Sequence, residues 1–369
     1  MLPKHFDFSS LEIRDRFRGE QVSIGRPSRN VSVFPLARCA PNVYTETMKA
    51  AVNHRYGPPE VVQITEVPKP TPADHEVLVK VRVTTVTAAD WRLRSATVPP
   101  GFGPLVRLAF GITGPRKHVL GSELAGEVEA IGKAVTRFKV GDRVFAFCTL
   151  GCHAEYRSVR EKDAIVHIPS KLSFEEAAPL SFGGATALFY LRDQGRVQPS
   201  EKVLINGASG GVGSAAVQLA RHFGAEVTAV CSGANAPMVR SLGAEHVVDY
   251  SKEDFRASGR KFDIILDTVG NLTFASSERA LAPGGRFLMV VGGLGQTISA
   301  AIRPTRSGKK ILGGVAPERA EDLRLLAELA EAGKFKAAVD RIFPFDRIVD
   351  AHALVDSRRK KGNVVVTLA

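Results

Sequence analysis

Long apolar runs are missing from this sequence. No stretch approaches the roughly 18 consecutive apolar residues that a membrane-spanning helix needs. The longest runs, such as residues 287–291, are short and flanked by glycine. They therefore indicate buried strands, and no membrane span is predicted.

Cysteine is also scarce, with only four residues in a chain of 369. Cys39, Cys148, Cys152 and Cys231 are irregularly spaced, unlike the cysteines of a disulfide framework. A reducing compartment is therefore expected, and we predict a cytoplasmic protein.

Long blocks of one charge are absent as well, although the formal net charge is +12 and the sequence pI is near 9.7. The longest Lys/Arg block is residues 358–361. A basic balance can accompany nucleic acid, an anionic membrane surface or an anionic small molecule as the partner. Charges this dispersed are typical of a solvated basic surface, so nucleic acid is not expected as the main partner.

Residues 1–47 show no sustained periodicity. Arginines at positions 14, 16 and 18 are compatible with a transit peptide, but the acidic residues among them argue against one. A regular pattern begins at Met48, which we interpret as the working start. Residues 1–47 are predicted to be an extension outside the fold.

Short strand patterns dominate from Met48 to about residue 172. Residues 77–83 alternate apolar and polar side chains, and residues 127–131 and 143–147 are further strand candidates bounded by glycines. This pattern predicts an antiparallel β region, with a long loop at about 94–120.

The pattern changes at Ser173, which forms a capping-box sequence with Glu176 at the start of a helical segment. Strands and helices then alternate up to about residue 332. The predicted strands are 202–206, 226–231, 262–267, 286–291 and 310–315, and the predicted helices are 214–223, 236–242 and 318–332. This alternation predicts an α/β fold with a doubly wound parallel sheet, followed by a β-rich tail ending at 363–367.

The most informative stretch is residues 202–214, where an apolar strand enters a glycine turn and a helix follows at once. Its G-x-x-G-x-x-G spacing is a variant of the dinucleotide-binding fingerprint. Gly207 would permit the tight turn, and Gly210 would let a diphosphate approach the backbone. Gly213 would allow the helix to pack closely on the strand. The amides at the helix start would bind the diphosphate.

NADPH is predicted as the cofactor in preference to NADH. NAD-binding sites normally carry Asp or Glu at the end of the second strand, where it binds the ribose hydroxyls. Here that strand ends in residues 232–235, Ser-Gly-Ala-Asn, which contain no acid. No carboxylate there would repel a 2′-phosphate.

Residues from Met48 onward resemble the medium-chain dehydrogenase/reductase superfamily, in its zinc-independent quinone oxidoreductase (zeta-crystallin-like) branch. Besides the glycine turn, the matching stretches are 58–61, 67–70, 126–132, 140–144, 154–156, 240–244, 249–250, 267–270 and 283–285. The resemblance implies a GroES-like catalytic domain (48–172 and 333–369) and a Rossmann domain (173–332), with the cofactor in the cleft between them. We also expect a homodimer.

The resemblance implies the cofactor contacts residue by residue. The turn residues Gly207, Ala208, Ser209, Gly210, Gly211, Val212 and Gly213 would hold the diphosphate. Thr186, Val291, Gly292 and Gly293 would lie beside the nicotinamide. Ser232 and Tyr250 would lie near the 2′-phosphate, and Arg358 would contact the cofactor. Many relatives carry arginine where this chain has Ala234, which weakens the NADPH prediction.

No metal is expected. Zinc-using relatives carry a cysteine and a histidine where this chain has Thr87 and Ser122, and neither hydroxyl is a good zinc ligand. Cys148, Cys152 and His153 are close in sequence but are interpreted as ordinary strand packing.

The chemistry that needs no metal is hydride transfer to a small, electron-poor substrate, such as a quinone or an α,β-unsaturated carbonyl. Thr87, Asp90, Trp91 and the 94–120 loop are the predicted substrate pocket. Asp90 could order water or a ribose, although capping of a helix that begins at Trp91 is favoured. No catalytic acid is assigned.

Two other functions stay open. One is a zinc-independent enoyl-thioester reductase or alcohol dehydrogenase-like enzyme. The other, from a different class, is an NADPH-bound, RNA-binding crystallin-like protein, which only the basic charge supports.

Overall fold

The computed structural model describes residues 46–293, 295 and 308–369. The predicted extension therefore lies outside the described residues, except for Glu46 and Thr47. These two residues belong to the fold: Thr47 pairs with Pro68 in a two-stranded hairpin, and Glu46 forms an ion pair with Lys69 at 3.1 Å. The regular structure thus begins slightly before Met48.

The strands are β1 Thr47–Val52, β2 Gln63–Pro68, β3 Glu76–Val86, β4 Glu123–Ile131, β5 Arg143–Phe147, β6 Tyr156–Arg160, β7 Ile165–His167, β8 Lys202–Asn206, β9 Glu226–Cys231, β10 His246–Asp249, β11 Phe262–Asp267, β12 Leu281–Met289, β13 Lys310–Gly313, β14 Val339–Pro344 and β15 Asn363–Thr367. The α-helices are α1 Ala88–Ser95, α2 Gly103–Phe110, α3 Phe174–Ala177, α4 Ser181–Leu188, α5 Gly211–His222, α6 Ala236–Ser241, α7 Phe274–Ser277, α8 Ala320–Glu331 and α9 Ile348–Asp356.

One sheet has seven strands in the order β14-β15-β3-β4-β5-β7, with β6 paired to β3. All its pairings are antiparallel except β14 with β15. The β-rich tail of the chain therefore returns to the first sheet, because β15 lies directly beside β3.

The loop predicted at 94–120 is wrong in part, because it contains the end of α1 and all of α2. Pro104 lies in the first turn of α2, where a missing N–H costs no hydrogen bond. The proline and glycine content of residues 94–120 had indicated a loop. Leu105 and Leu108 of α2 are more than half exposed, so the helix has little burial to mark it in the sequence.

The other sheet is fully parallel and six-stranded, in the order β10-β9-β8-β11-β12-β13. This confirms the predicted α/β class. The strand order reverses between β8 and β11, which creates a crevice at the carboxyl ends of these two strands. One apolar core continues through both sheets, since Ala125 and Phe145 of the first sheet join Leu188 and Ile205 in it.

The predicted bounds of β8, β9, β11 and β15 match the structure, whereas other elements shift. Helix α5 begins at Gly211, three residues earlier than predicted, because the glycines of the turn already belong to its first turn. The capping box at Ser173 is present: Glu176 N–H donates to Ser173 Oγ at 3.2 Å, and Ser173 N–H donates to the Glu176 carboxylate at 2.9 Å. No helix in the described ranges is long and apolar enough to span a membrane.

Alanine substitutions at two glycines of the turn are expected to change the free energy of unfolding by different amounts. A Cβ on Gly213 would lie 2.1 Å from the Gly207 carbonyl oxygen, whereas a Cβ on Gly210 would have its nearest neighbour at 3.5 Å. We expect Gly213→Ala to lose about 2–3 kcal/mol of unfolding free energy because α5 must move off β8. Gly210→Ala should lose less than about 1 kcal/mol. Urea unfolding of both variants measures this, and equal stabilities would contradict the close packing.

Candidate functional site

A cavity of about 1320 Å³ lies at the crevice where the strand order of the parallel sheet reverses. Both sheets contribute to it, since Thr87 and Trp91 follow β3 while the glycine turn follows β8. The predicted site residues that line it are Thr87, Trp91, Gly207, Ser209, Gly210, Gly211, Val212, Gly213, Ser232, Tyr250, Val291, Gly293 and Arg358. Asp90, Thr186, Ala208 and Gly292 do not line it.

The glycine turn has the geometry of an anion site. Gly207 has a φ of +79°, a conformation that favours glycine. Gly210 is the N-cap of α5, and the first amides of a helix have no partner within the helix. Those amides and the helix dipole favour a negative charge, such as a diphosphate, at this wall of the cavity. Ala208 lies fully buried beneath the turn.

The end of β9 forms the next part of the wall, together with Tyr250. Asn235 donates from Nδ2 to Ser209 Oγ at 3.0 Å. Its Oδ1 is buried and has no hydrogen-bond partner within the described ranges. Because a buried acceptor normally has a partner, this oxygen suits a ligand hydroxyl, such as that of a ribose. Asn235 was not predicted as a site residue.

A carboxylate lies close to this point, although none follows β9 in the sequence. Asp249, at the end of β10, is opposite Cys231 in the sheet register. It accepts hydrogen bonds from Ser251 Oγ at 2.7 Å, Ser251 N at 3.1 Å and Gly233 N. The Ser251 hydrogen bond is the main reason that the pKa of Asp249 is lowered. Since its side chain is held by its own loops, Asp249 does not line the cavity.

On the other side of the turn, the loop after β11 lines the cavity. Asp267 is buried and accepts hydrogen bonds from Val269 N and Gly270 N, each at 3.0 Å. It also accepts from Asn206 Nδ2 at 2.8 Å. This network fixes the loop beside the glycine turn. Sequence analysis identified the motif at 267–270 but not the role of Asp267.

Thr87 is held rigidly by Asp90. Asp90 Oδ2 accepts from Thr87 N at 2.8 Å and from Thr87 Oγ1 at 2.7 Å, and Oδ1 accepts from Gly121 N at 2.9 Å. The cap of α1 is therefore Thr87, and the helix begins at Ala88 rather than at Trp91 as predicted. Asp90 is the third residue of α1 and completes a capping box with Thr87, so its contacts are structural although it is not the N-cap that was predicted.

Among the described residues, five cationic side chains line the cavity: Arg92, Arg358, Arg359, Lys360 and Lys361. The Arg358 guanidinium lies 4.6 Å from the centre of the Trp91 ring, and that of Arg92 lies 5.3 Å from it. Burial, followed by the charge of Arg358, lowers the pKa of Arg92. The block 358–361 is thus part of the site wall and more than a dispersed basic surface.

Glu123 joins the two sheets and was missed as a functional candidate. Its carboxylate is fully buried and accepts hydrogen bonds from Thr85 Oγ1, from Ser181 Oγ at 3.0 Å and from Phe182 N at 2.5 Å. Burial is the main cause that raises its pKa to about 7. Because Phe182 lines the cavity, Glu123 positions the start of α4 at the site.

Cys148, Cys152 and His153 pack against Gly121 and Ser122, which immediately precede β4. The Cys148 and Cys152 amides donate to the Ser122 and Gly121 carbonyls at 2.8 and 3.1 Å. His153 Nε2 pairs with the Thr85 carbonyl at 2.9 Å. Within the part of the chain that the structure describes, no three His, Cys, Asp or Glu residues group as metal ligands.

Two family models match the chain. "Alcohol dehydrogenase GroES-like domain" covers residues 73–170, and "Zinc-binding dehydrogenase" covers residues 242–366. These matches agree with a GroES-like domain on the first sheet and a Rossmann-type parallel sheet. The second match does not include Thr87 or Ser122.

Similar proteins span nearly the same length. The chloroplast envelope quinone oxidoreductase homolog of Arabidopsis thaliana is 31% identical over 82% of this chain and 92% of its own length. The 2-methylene-furan-3-one reductase of Solanum lycopersicum is also 31% identical, over 86% of this chain and 79% of its own. The structure of the quinone oxidoreductase from Coxiella burnetii superposes with a TM-score of 0.78 at 28% identity, covering 88% of this chain and all of that one.

Three findings lead to one assignment: the cavity at the glycine turn between the two sheets, the two matching family models, and relatives that are about 31% identical over most of the chain. The chain belongs to the medium-chain dehydrogenase/reductase superfamily, as an oxidoreductase of the nicotinamide-cofactor type similar to the quinone oxidoreductases.

Proposed function

We propose that the protein is a zinc-independent oxidoreductase that transfers hydride from NADPH to a quinone or an α,β-unsaturated carbonyl. The observation that carries the proposal is the cavity itself, in which an anion-binding helix start and a cationic wall are joined to Thr87 and Trp91. The names of the Arabidopsis and tomato relatives fit the two substrate classes.

In this proposal the cofactor lies along the turn. The amides of residues 211–213 bind the diphosphate, since the Gly210 amide already donates to the Gly207 carbonyl at 3.0 Å. Ser232 and Tyr250 lie near the adenosine ribose and its 2′-phosphate. Val291 and Gly293 lie beside the nicotinamide. When bound, NADPH supplies the hydride, while the protein orients the substrate and excludes water.

NADPH is favoured over NADH for two reasons. The end of β9 brings no carboxylate into the cavity, and Asp249, whose carboxylate accepts from Ser251 and Gly233, does not line it. The cationic side chains that line the cavity also attract the negative charge that an extra phosphate adds.

Thr87 and Ser122 occupy the two positions at which zinc-using relatives carry metal ligands, and neither side chain is suited to bind zinc. The Thr87 hydroxyl donates to Asp90, so its proton and orientation are fixed. Ser122 offers a buried hydroxyl, which is a poor zinc ligand. An electron-poor acceptor can take hydride without a Lewis acid because its conjugated oxygen receives the charge.

Gly210→Val tests the diphosphate site. Gly210 has a φ of −81°, so the effect expected of valine is steric and not one of backbone strain. A branched side chain on the turn would stand between the helix amides and the diphosphate. Losing two charge-assisted hydrogen bonds, each about 1.5–3 kcal/mol, should weaken NADPH at least roughly a hundredfold.

Fluorescence titration measures this loss, and far-ultraviolet circular dichroism checks that the variant is folded. Gly210→Ala is the matched control and should lose less affinity. If Gly210→Val bound NADPH like the parent protein, the turn would not be the diphosphate site.

Cofactor preference is tested by Ser232→Asp. The parent protein should bind NADPH more tightly than NADH, and the variant should reverse this order, since its carboxylate would repel the 2′-phosphate. Isothermal titration of both cofactors into both proteins gives the four affinities. Equal affinities in the parent protein would show that the missing acid does not decide the preference.

The reaction itself is tested by NADPH oxidation with quinones, enones and enoyl thioesters. We expect turnover with quinones or enones, no stoichiometric zinc by elemental analysis and no loss of activity after chelation. Zinc at one equivalent per chain would contradict the metal-free proposal. Turnover restricted to enoyl thioesters would favour the alternative enzyme, and salt-dependent RNA binding without NADPH turnover would favour the crystallin-like function. The cytoplasmic location and the homodimer stay predictions.

A further inference from the structure

The segment 358–362 crosses directly over the glycine turn. Gly362 N–H donates to the Ser209 carbonyl at 2.7 Å, and Gly362 forms an isolated bridge with Gly210. Gly362 has a φ of +73°, and a Cβ there would lie 2.1 Å from the Ala338 carbonyl oxygen. The segment is therefore held on the turn by backbone pairing, and glycine at 362 allows its positive φ and its close approach to Ala338.

Within this segment, Lys360 is more enclosed than its neighbours. It is half-buried and lines the cavity, whereas Arg358, Arg359 and Lys361 are exposed. Lys360 Nζ donates to the Gly362 carbonyl at 2.5 Å. An ammonium has three donors, so this bond leaves two N–H groups for a ligand in the cavity that Ser209 and Gly210 also line.

On the assumption that the cavity binds a dinucleotide, we propose that Lys360 binds its diphosphate from the side of the 358–362 segment, so that cofactor binding is coupled to protonation of Lys360. The turn supplies amides to one part of the diphosphate, and Lys360 supplies a full positive charge from the segment above. A point charge on a flexible stem is a common phosphate ligand.

The electrostatic surroundings make the coupling measurable. Burial lowers the pKa of Lys360 to about 8, while the charges of Glu123 on β4 and Asp340 on β14 raise it in part. Asp340 also accepts from Lys361 N at 2.9 Å. The neighbouring cations Arg358, Arg359 and Lys361 line the same cavity.

The direction in which NADPH affinity changes with pH follows from these surroundings. A bound diphosphate stabilises the ammonium and raises the pKa of Lys360, so by linkage protonated Lys360 favours the diphosphate. Well below pH 8 the lysine is already charged, and affinity is at its full value. Above pH 8 binding requires proton uptake, so affinity should fall by up to about tenfold per pH unit. Glu123, with a pKa of about 7, is ionised through most of that range.

The test is calorimetric titration of NADPH, NADH and ADP-ribose between pH 7.5 and about 9.5, in two buffers of different ionisation enthalpy. The parent protein should take up protons on binding above pH 8, with all three ligands. Lys360→Met should weaken binding roughly ten- to a hundredfold at pH 7.5 and abolish the pH dependence. Lys360→Arg should keep most of the affinity without the pH dependence, because arginine stays charged.

Lys361→Met is the matched control, since it removes one positive charge from the next position and should keep the pH dependence. Circular dichroism and urea unfolding check the fold of each variant. If Lys360→Met bound all three ligands with the affinity and pH profile of the parent protein, this inference would be overturned while the proposed function stood. An effect confined to NADPH would overturn the diphosphate assignment in favour of the 2′-phosphate. If the parent protein bound none of the three ligands, the proposed function itself would fail.

Discussion

The close approach of α5 to β8 is the contact on which the site depends. Gly213 lies so near the Gly207 carbonyl that a single added carbon would meet it at 2.1 Å. This packing directs the first amides of α5 into the cavity at the point where the sheet order reverses. An anion placed there gains hydrogen bonds and a favourable dipole without any movement of the backbone.

The second requirement is that both sheets meet at this turn. Buried Glu123 bonds the start of α4 to β4, and the 358–362 segment bonds the turn to the strand β15 that follows it. These two links bring Trp91 and the cations of the first sheet to the glycine turn of the second. A cofactor in the cavity would therefore contact parts of the chain that are far apart in sequence, as the family's two-domain arrangement implies.

Local signals in the sequence predicted much of the fold. The strands β8, β9 and β11 were predicted with their observed bounds, because buried parallel strands are short apolar runs that turn residues interrupt. Helix α2 was missed, since its proline and glycine indicated a loop and its apolar face is exposed. The glycine turn was also predicted from a local signal, since its glycine spacing lies directly between an apolar strand and a helix.

Site features that depend on tertiary contacts were not predicted. Asp249 reaches the end of β9 from the neighbouring strand, and the structural place of Lys360 comes from the bridge between Gly362 and Gly210. Thr186 and Gly292 were assigned by resemblance, but they do not line the cavity. Spacing along the chain carries no information about such approaches, because they are fixed by the order of strands in a sheet and by how the two sheets pack.

Trp91 allows a direct measurement, because it is the only tryptophan in the chain and lines the cavity beside Arg358. NADPH bound between the two sheets would accept excitation energy from this ring. Titration of NADPH with excitation of tryptophan should lower the Trp91 emission and raise the emission of the reduced nicotinamide together, saturating at one NADPH per chain. If equilibrium dialysis showed NADPH bound while the Trp91 emission stayed constant, the cofactor would not lie in this cavity.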